Sequence, residues 1–285
     1  MIADALRQAA AELAAALALD PREARLEAQI LLGKALGGRS RAWLVAHDRD
    51  LLAPPQAAAF QELLERRLAG EPVAYILGER EFYGMTFKVS PAVLIPRPET
   101  ELLVELALAR LPHDSATRVL DLGTGSGAVA LAIAAERPQA LVTAVDISPA
   151  ALDVARENAR HLAIPNVRFL QGAWFAALPP QEKFDLVVSN PPYVAAFDPH
   201  LTQGDVRFEP AGALASGTDG LDDIRAIVAD APAHLVPGGW LLFEHGYDQA
   251  AACRALLEKA GYAAVASNTD LAGIERVTLG QSRAD

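Results

Sequence analysis

The sequence predicts an α/β fold with a mostly parallel sheet, preceded by a small N-terminal all-α bundle that a β-hairpin joins to it. Two observations lead to this expectation. Segments rich in Ala and Leu, with Glu, Arg and Gln at helical spacing, fill the first 70 or so residues. From Arg118 onward, short apolar runs typical of strands alternate with helical segments, which is the pattern of a parallel sheet covered on both faces.

The amino-terminal bundle is predicted from three stretches with helical periodicity: residues 2–18, 21–37 and 54–69. Ser40 precedes a shorter apolar segment with Trp43 and Leu44, and its hydroxyl is a suitable N-cap for a short helix. We expect the Ala-rich faces of these helices to form an internal core. Recognition of a partner by an exposed face is the alternative use of such a surface.

The pattern changes after the bundle. Residues 82–89 alternate around Tyr83-Gly84, which predicts a β-hairpin. A connector with three prolines then precedes a helix over residues 99–110. We therefore expect three parts: a helical domain at 1–75, a hairpin and linker at 76–98, and a larger α/β domain at 99–285.

Seven strands are predicted in the larger domain: Val119–Leu122, Leu141–Val145, Val167–Leu170, Leu186–Ser189, Trp240–Glu244, Ala263–Ser267 and Glu275–Leu279. No helical segment separates the last two, so they are expected to pair antiparallel. Ligands of open parallel sheets bind at the carboxyl ends of the strands. Gly123, Asp146 and Asn190 all lie at such ends, and we expect them to share one site.

A glycine-rich turn follows the first of these strands, Gly123-Thr124-Gly125-Ser126-Gly127. Alternate glycines let the backbone approach a ligand closely, and the next helix offers free N–H groups at its start. Asp146 ends the following strand, where nucleotide-binding α/β units place a carboxylate on ribose hydroxyls. Dinucleotide sites and purely structural turns use similar glycines, although the sixth-position glycine of the dinucleotide fingerprint is missing. We expect a nucleoside-containing ligand.

The tetrapeptide Asn190-Pro191-Pro192-Tyr193 follows another apolar strand. Two prolines without backbone donors leave carbonyl acceptors beside the Asn190 amide. The Asn190 side-chain oxygen and the Pro191 carbonyl are suited to accept the two hydrogens of a planar amide or of an exocyclic amine, with the Tyr193 ring against its face. An edge-strand turn with a double proline is the alternative interpretation.

Seven segments occur in a fixed order: Phe82 to Gly84, Leu94 to Glu101, Asp121 to Gly127, Asn190 to Tyr193, Gly204 to Pro210, Glu244 to Gly246 and Gly273 to Val277. Over nearly the whole chain they resemble the peptide chain release factor glutamine N5-methyltransferases, a family of class I S-adenosylmethionine-dependent methyltransferases. The resemblance implies a Rossmann-like seven-stranded sheet and methylation of the glutamine in the Gly-Gly-Gln motif of release factors. It also implies that 1–75 recognises the protein substrate and that 99–285 is the methyltransferase domain.

The resemblance assigns roles to single residues. The turn from Gly123 to Gly127 is expected to hold the amino-acid and ribose portions of S-adenosylmethionine, Asp146 the ribose hydroxyls and Trp174 the adenine. Asn190 is expected to contact both cofactor and substrate, with Pro191 and Tyr193 as its catalytic partners and Pro192 at the substrate. One position departs from the family, because Ala173 stands where an acidic residue usually precedes the tryptophan. If that carboxylate normally contacts the adenine amino group, Ala173 cannot do so.

Three alternatives stay open at this stage. Asn-Pro-Pro-Tyr also occurs in enzymes that methylate the exocyclic amine of adenine in DNA. A sister activity modifies a glutamine of a ribosomal protein. A cofactor-binding protein that retains the fold without catalysis is the third.

The amino-acid composition and charge help to choose among these alternative functions. The net charge is −11, with 11 Lys and Arg against 12 Asp and Glu in residues 1 to 90 and 14 against 24 in the remainder. No basic stripe suited to nucleic acid is visible, so we expect no direct nucleic-acid contact. The single cysteine, Cys253, is typical of a reducing compartment. No apolar run is long enough for a membrane span, and the six histidines show no metal-ligand spacing. We expect a cytoplasmic monomer without a metal.

Overall fold

The structure is a computed structural model that describes residues 1–283. The chain forms two compact units. The first, the helical unit, comprises Met1–Glu79 and Thr202–Phe208. The second, the sheet unit, comprises Arg80–Leu201 and the chain from Glu209 onward. The short segment Thr202–Phe208 therefore interrupts the sequence of the sheet unit and packs as part of the helical unit.

Five helices form most of the helical unit: α1 (Ile2–Leu17), α2 (Pro21–Ala35), α3 (Arg41–Ala46), α4 (Pro54–Leu68) and α5 (Val73–Leu77). Their apolar faces meet in a core that includes the almost fully buried Leu13, Leu31 and Phe60. The Ser40 hydroxyl accepts the N–H of Trp43 at 3.2 Å, so the predicted N-cap is confirmed. Helix α5 was not predicted, because five residues are too few to show a helical period.

One buried arginine joins the two pieces of the helical unit. The side chain of Arg67 is 4% exposed, and its Nε donates to Glu27 at 2.8 Å. Its Nη1 donates to Asp205 at 2.8 Å. A buried guanidinium is stable only when its N–H groups are paired, so Arg67 fixes the segment Thr202–Phe208 to α2 and α4.

The predicted hairpin is present, with strands β1 (Glu79–Phe82) and β2 (Met85–Lys88). Its two-residue turn, Tyr83-Gly84, has φ angles of 51° and 71°. Positive φ at both turn positions matches the twist of the two strands, which is why glycine suits the second position. The first strand begins at Glu79, earlier than the predicted start at residue 82.

The sheet unit contains seven strands: β3 (Arg118–Leu122), β4 (Leu141–Asp146), β5 (Val167–Gln171), β6 (Phe184–Ser189), β7 (Leu235–Glu244), β8 (Ala263–Thr269) and β9 (Glu275–Gln281). Their order is β5-β4-β3-β6-β7-β9-β8. The pairs among β3 to β7 are parallel, whereas β9 is antiparallel to both of its neighbours. All seven predicted strands are confirmed, and the fifth begins earlier, at Leu235.

Over the residues that the structure describes, the sheet unit has five α-helices: α6 (Glu101–Leu108), α7 (Ala128–Glu136), α8 (Pro149–His161), α9 (Asp222–Asp230) and α10 (Ala250–Lys259). Alternate residues of a strand face opposite sides of the sheet. Val119 accordingly lies in a buried cluster with residues of α6 and α7, whereas Leu120 lies in a second cluster with residues of α9 and α10. Both faces of the sheet are covered.

The predicted architecture is confirmed: a Rossmann-like, seven-stranded, mostly parallel sheet, preceded in sequence by an N-terminal helical region. Within residues 1–283, no helix has both the length and the apolar character needed to cross a bilayer.

Candidate active site

The strand order reverses between β3 and β6, and a crevice opens there. From β3 the chain winds outward through β4 and β5, and it then returns to β6 on the other side of β3. The loops after these strands diverge, which leaves room for a ligand at their carboxyl ends. A cavity of about 430 Å³ lies at this edge. Small-molecule sites of proteins typically have volumes of roughly 300 to 1,000 Å³.

Eight residues singled out in the sequence line this cavity: Gly123, Thr124, Gly125, Ser126, Asp146, Trp174, Asn190 and Pro192. Gly127, Pro191 and Tyr193 do not contribute to its wall. The cavity therefore brings together the glycine turn, the last residue of β4 (Asp146), the loop after β5 and the start of the Asn-Pro-Pro-Tyr segment.

The first glycine of the turn allows a close approach of two loops. Gly123 has a φ of 72°, and a Cβ atom at this position would lie 3.3 Å from the Trp174 ring. The N–H groups of Gly123 and Thr124 both donate to the carbonyl of Val145 at 2.9 Å. A side chain at residue 123 would strain the backbone and displace the indole from the cavity wall.

The third glycine has a packing role. Gly127 is the N-cap of α7 with a φ of 83°. A Cβ atom there would lie 3.1 Å from Leu131 and 3.2 Å from Ala155. Since Ala155 belongs to α8, Gly127 permits two helices of the sheet unit to pack closely behind the turn.

Asp146 organises the turn through backbone N–H groups. Its Oδ2 accepts the N–H of Gly125, and its Oδ1 accepts that of Ser148, both at 2.9 Å. A carboxylate oxygen can accept more than one hydrogen bond, so Asp146 retains capacity for hydroxyl groups in the cavity. The next residue, Ile147, also lines the cavity and is 68% exposed, although the sequence patterns did not single it out.

The Trp174 side chain forms part of the cavity wall and also packs against the buried cluster below α9. Its φ is 48°, an uncommon value for a tryptophan, and such strain occurs where the surrounding structure requires one orientation. Ala173 lines the cavity as well and presents only a methyl group. Residue 173 therefore supplies no acceptor from its side chain.

Asn190 follows β6 directly, and its Nδ2 donates to the Oγ1 of Thr100 at 3.1 Å. Pro191 is buried, whereas Pro192 is partly exposed and faces the cavity. The hydroxyl of Tyr193 donates to Oε1 of Glu244 at 3.1 Å. Burial raises the pKa of the Tyr193 hydroxyl, and the Glu244 carboxyl raises it further. Tyr193 is therefore a neutral hydrogen-bond donor.

Asp121 lies inside the glycine motif, but only the structure shows that its carboxyl group is buried and has a raised pKa. It is 1% exposed, is the fourth residue of β3, two positions before Gly123, and contributes to the cavity wall. Burial raises its pKa to about 7, although a hydrogen bond from Thr124 at 2.6 Å opposes the rise. Asp146 adds to the rise through charge repulsion.

An ion pair secures the far wall of the cavity. Arg97 contacts the Glu209 carboxylate, whose side chain is fully buried, and Glu209 Oε2 accepts the N–H of Ile95 at 3.2 Å. The residue that follows, Pro210, lines the cavity. Among residues 1–283 there is no group of three or more His, Cys, Asp or Glu side chains that could hold a metal ion.

Comparisons with known proteins place these features in context. One family model, described as a methyltransferase domain, matches residues 113–246. A second, described as the PrmC N-terminal domain, matches residues 4–78. The two models together cover most of the bundle and the strands β3 to β7 of the sheet.

Curated relatives match over most of the chain. The release factor glutamine methyltransferase of Bordetella pertussis is 56% identical over 264 residues, which are 93% of this chain and 97% of that protein. The enzyme of the same name from Salmonella typhimurium is 51% identical over 262 residues, which are 92% of this chain and 94% of the other.

Solved structures share the fold. The T. thermophilus 16S rRNA N2 G1207 methyltransferase, in complex with AdoMet and guanosine, superposes with a TM-score of 0.55 at 25% identity, covering 72% of this chain and 50% of that chain. A methyltransferase from Pyrococcus furiosus has a TM-score of 0.54 at 18% identity and covers 78% of this chain and 99% of that one.

The raised pKa of Asp121 predicts how stability changes with pH. Because the pKa is about 7 in the folded protein and 3.8 is its ordinary value, the folded state binds this proton more tightly than the unfolded chain. The contribution of Asp121 to the free energy of unfolding should therefore fall as pH rises from about 4 to 7 and stay constant above that range.

Urea denaturation across this pH range, with Asp121→Asn as the reference that cannot ionise, measures the contribution. We expect the wild type to lose stability relative to the variant as pH rises. A difference between the two proteins that does not vary with pH would show that the buried carboxyl keeps its ordinary pKa.

Proposed function

This chain belongs to the family of release factor glutamine methyltransferases, and we propose that it methylates the N5 nitrogen of the glutamine in the Gly-Gly-Gln motif of peptide chain release factors, with S-adenosylmethionine as the methyl donor. One observation carries the proposal. Asn190 and the glycine turn follow adjacent parallel strands, with Ser189 paired to Leu122, and both line one cavity. The side chain that we propose binds the amide and the turn that we propose binds the nucleoside are thus side by side.

The residues present fit S-adenosylmethionine. Gly123 leaves free the space that a Cβ atom would fill against Trp174, and the turn offers backbone groups to the methionine portion. Asp146 retains acceptor capacity for the ribose hydroxyls, and Trp174 and Ile147 offer apolar surfaces to the adenine. Since the side chain of Ala173 has no acceptor, the adenine amino group needs an acceptor other than the side chain of residue 173. When bound, the cofactor supplies an electrophilic methyl group.

The protein has to make a poor nucleophile react. The nitrogen of a glutamine amide shares its lone pair with the adjacent carbonyl and has no easily removed proton. We propose that the Asn190 side-chain oxygen and the Pro191 carbonyl accept its two hydrogens and stabilise the positive charge that develops on nitrogen. Pro192 bounds the glutamine side chain, and Tyr193 supports this segment through its bond to Glu244. A general base is not required before attack, because the alkylated nitrogen is a strong acid and releases one proton to solvent after the transfer.

Recognition of the protein substrate is assigned to the helical domain, residues 1–75. A single glutamine is too small to identify the protein that carries it, so selectivity requires a wider contact surface. The two most exposed large apolar side chains of this domain are Val45 at 65% and Leu51 at 82%. We propose that they belong to the surface that contacts the release factor.

The proposed function is tested with methyl-labelled S-adenosylmethionine and separate acceptors. We expect an intact release factor to be labelled, and the same protein with alanine in place of the Gly-Gly-Gln glutamine to stay unlabelled. Ribosomal proteins and duplex DNA are assayed in parallel. Label on a ribosomal protein or on adenine, with none on the release factor, would contradict the proposal.

Two substitutions should separate binding of the cofactor from chemistry. Asp146→Ala removes a charged acceptor and should weaken S-adenosylmethionine binding by about 1.5 to 3 kcal/mol. Asn190→Ala removes an acceptor that matters most in the transition state and should lower kcat about 100-fold or more. Calorimetry measures the first effect and turnover on release factor the second. Unchanged cofactor affinity in Asp146→Ala, or normal turnover in Asn190→Ala, would refute the assigned role of that residue.

The recognition surface is tested by a double variant, Val45→Ser with Leu51→Ser. Loss of two apolar contacts that the proposed complex would bury should raise KM for intact release factor about tenfold, with kcat unchanged. Activity on a short glutamine peptide should stay the same. Leu141→Ser is the matched control, because Leu141 is 60% exposed and begins β4, at the opposite end of the strand from the cavity. Equal KM values for the control and the double variant would exclude these side chains from recognition.

A further inference from the structure

A fully buried asparagine of α8 lies behind the glycine turn. Asn158 is 0% exposed. Ala155, one helical turn earlier in α8, packs against Gly127, so this face of the helix is the one that meets the turn. A buried amide lowers the stability of a fold unless its hydrogen bonds are made. The proposed mechanism gives Asn158 no role, so its partners indicate what it does.

The Asn158 side chain makes three hydrogen bonds, all of them with backbone groups. Its Oδ1 accepts the N–H of Lys88 at 2.7 Å. Its Nδ2 donates to the Lys88 carbonyl at 3.0 Å and to the Ser126 carbonyl at 2.9 Å. A backbone N–H can only donate and a carbonyl can only accept, so these partners fix the orientation of the amide. Both hydrogens of its NH2 group are used.

These bonds join two parts of the cavity wall. Ser126 belongs to the glycine turn and lines the cavity. Lys88 is the last residue of β2, and the chain that leaves this strand lines the cavity at residues 92–94. The N–H and the carbonyl of Lys88 bond to Asn158 as they would to a neighbouring strand. Asn158 therefore ties the hairpin strand to the glycine turn.

The backbone N–H groups of the turn differ in what remains for a ligand. Four of them donate within the protein: those of Gly123, Thr124, Gly125 and Gly127. Among the residues that the structure describes, the Ser126 N–H has no hydrogen-bond partner, although Ser126 is 3% exposed. An unpaired N–H at a buried position is unfavourable unless a ligand or water accepts it. Asn158 thus holds, by the carbonyl, the residue whose donor is left over.

We propose that Asn158 is a positioning residue for S-adenosylmethionine. It holds Ser126 so that the Ser126 N–H meets the amino-acid portion of the cofactor, and it couples the turn to the hairpin through Lys88. The inference rests on the proposed function, in which the glycine turn binds that portion. Asn158 does not line the cavity, so it acts through Ser126.

Two substitutions of Asn158 separate its bonds. Asn158→Leu has a similar volume and removes all three hydrogen bonds. Asn158→Asp keeps an acceptor for the Lys88 N–H but has no NH2 group for the Ser126 carbonyl. Loss of affinity in both variants therefore identifies the bond to Ser126 as the one that cofactor binding requires.

Asn166 supplies the matched controls, Asn166→Leu and Asn166→Asp. It directly precedes β5 and so lies at the amino ends of the parallel strands, opposite the cavity. Its Nδ2 also donates to backbone carbonyls, at 3.1 to 3.2 Å: those of Ala134, Arg137 and Ala140. The control variants therefore lose the same kind of bond without disturbing the glycine turn.

We expect both Asn158 variants to raise the dissociation constant of S-adenosylmethionine about tenfold, the scale of one lost hydrogen bond. Methylthioadenosine contains the nucleoside but no amino-acid portion, so its affinity should not change. The KM for S-adenosylmethionine should rise in parallel, whereas kcat at saturating cofactor should fall less than about threefold. Calorimetry on the full chain measures both dissociation constants.

Three results would overturn the role of Asn158. The first is unchanged S-adenosylmethionine affinity in Asn158→Leu. The second is an equal loss of affinity for methylthioadenosine, which would indicate general damage to the site. The third is an equal effect of the Asn166 controls.

Hydrogen exchange on the wild type tests the same inference without a substitution, and it decides if the Asn158 variants do not fold. If the cofactor fixes Ser126, S-adenosylmethionine should slow exchange of the Lys88 N–H about threefold or more. Methylthioadenosine should not have this effect. The Val142 N–H, which donates to the Asn166 carbonyl at 3.0 Å, is the internal reference and should slow less. Equal slowing of both N–H groups, or none at Lys88, would contradict the coupling.

The inference and the proposed function fail separately. Weaker S-adenosylmethionine binding in the Asn158 variants, with no label on the release factor in the wild type, would overturn the proposed substrate and leave the role of Asn158 intact. Label on the release factor, with normal cofactor affinity in Asn158→Leu, would overturn the role of Asn158 alone.

Discussion

The parallel pairing of β3 with β6 is the interaction on which the site depends. Ser189 pairs with Leu122, and the Ser189 hydroxyl also donates to the Leu122 carbonyl at 2.8 Å. Both strands end at the same edge, so the residues that follow them, Gly123 and Asn190, emerge side by side. Because the two strands are also the place where the sheet order reverses, their loops separate above this edge and leave the cavity between them. A shift of the register by one residue would turn every strand side chain to the other face and part these two residues.

The buried carboxyl groups around the cavity lower the stability of the fold, and the geometry of the site requires them. Asp121 and Glu244 are both almost fully buried carboxyl groups, and burial raises the pKa of each. Folding tolerates them because hydroxyl and backbone donors satisfy part of their capacity, among them Thr124 and Tyr193. Such groups reduce the stability of the fold but fix the directions of neighbouring side chains. A site for a weak nucleophile depends more on these fixed directions than on charge.

Much of the fold could be predicted because its signals are local. Strand-forming apolar runs, the alternate glycines and the two prolines after Asn190 are each readable within a few neighbouring residues. The hydrogen-bond partner of Asn190, Thr100, was not predicted, because it lies 90 positions before Asn190 in the sequence. The exposure of Ile147 and the raised pKa of Asp121 could not be predicted either. Both depend on how deeply a residue is buried in the folded protein, which sequence periodicity does not show. Equally, no local pattern shows that the segment Thr202–Phe208 packs with the helical unit.

The central claim is that the methyl donor and the glutamine amide meet at the junction of β3 and β6. The most direct measurement is a crystal structure of the full-length enzyme with S-adenosylhomocysteine and a release factor fragment that contains the Gly-Gly-Gln loop. The account predicts the nucleoside against Asp146 and Trp174, and the glutamine nitrogen about 3 Å from the Asn190 side-chain oxygen. A glutamine amide bound elsewhere, or one facing the Asn190 nitrogen, would contradict it.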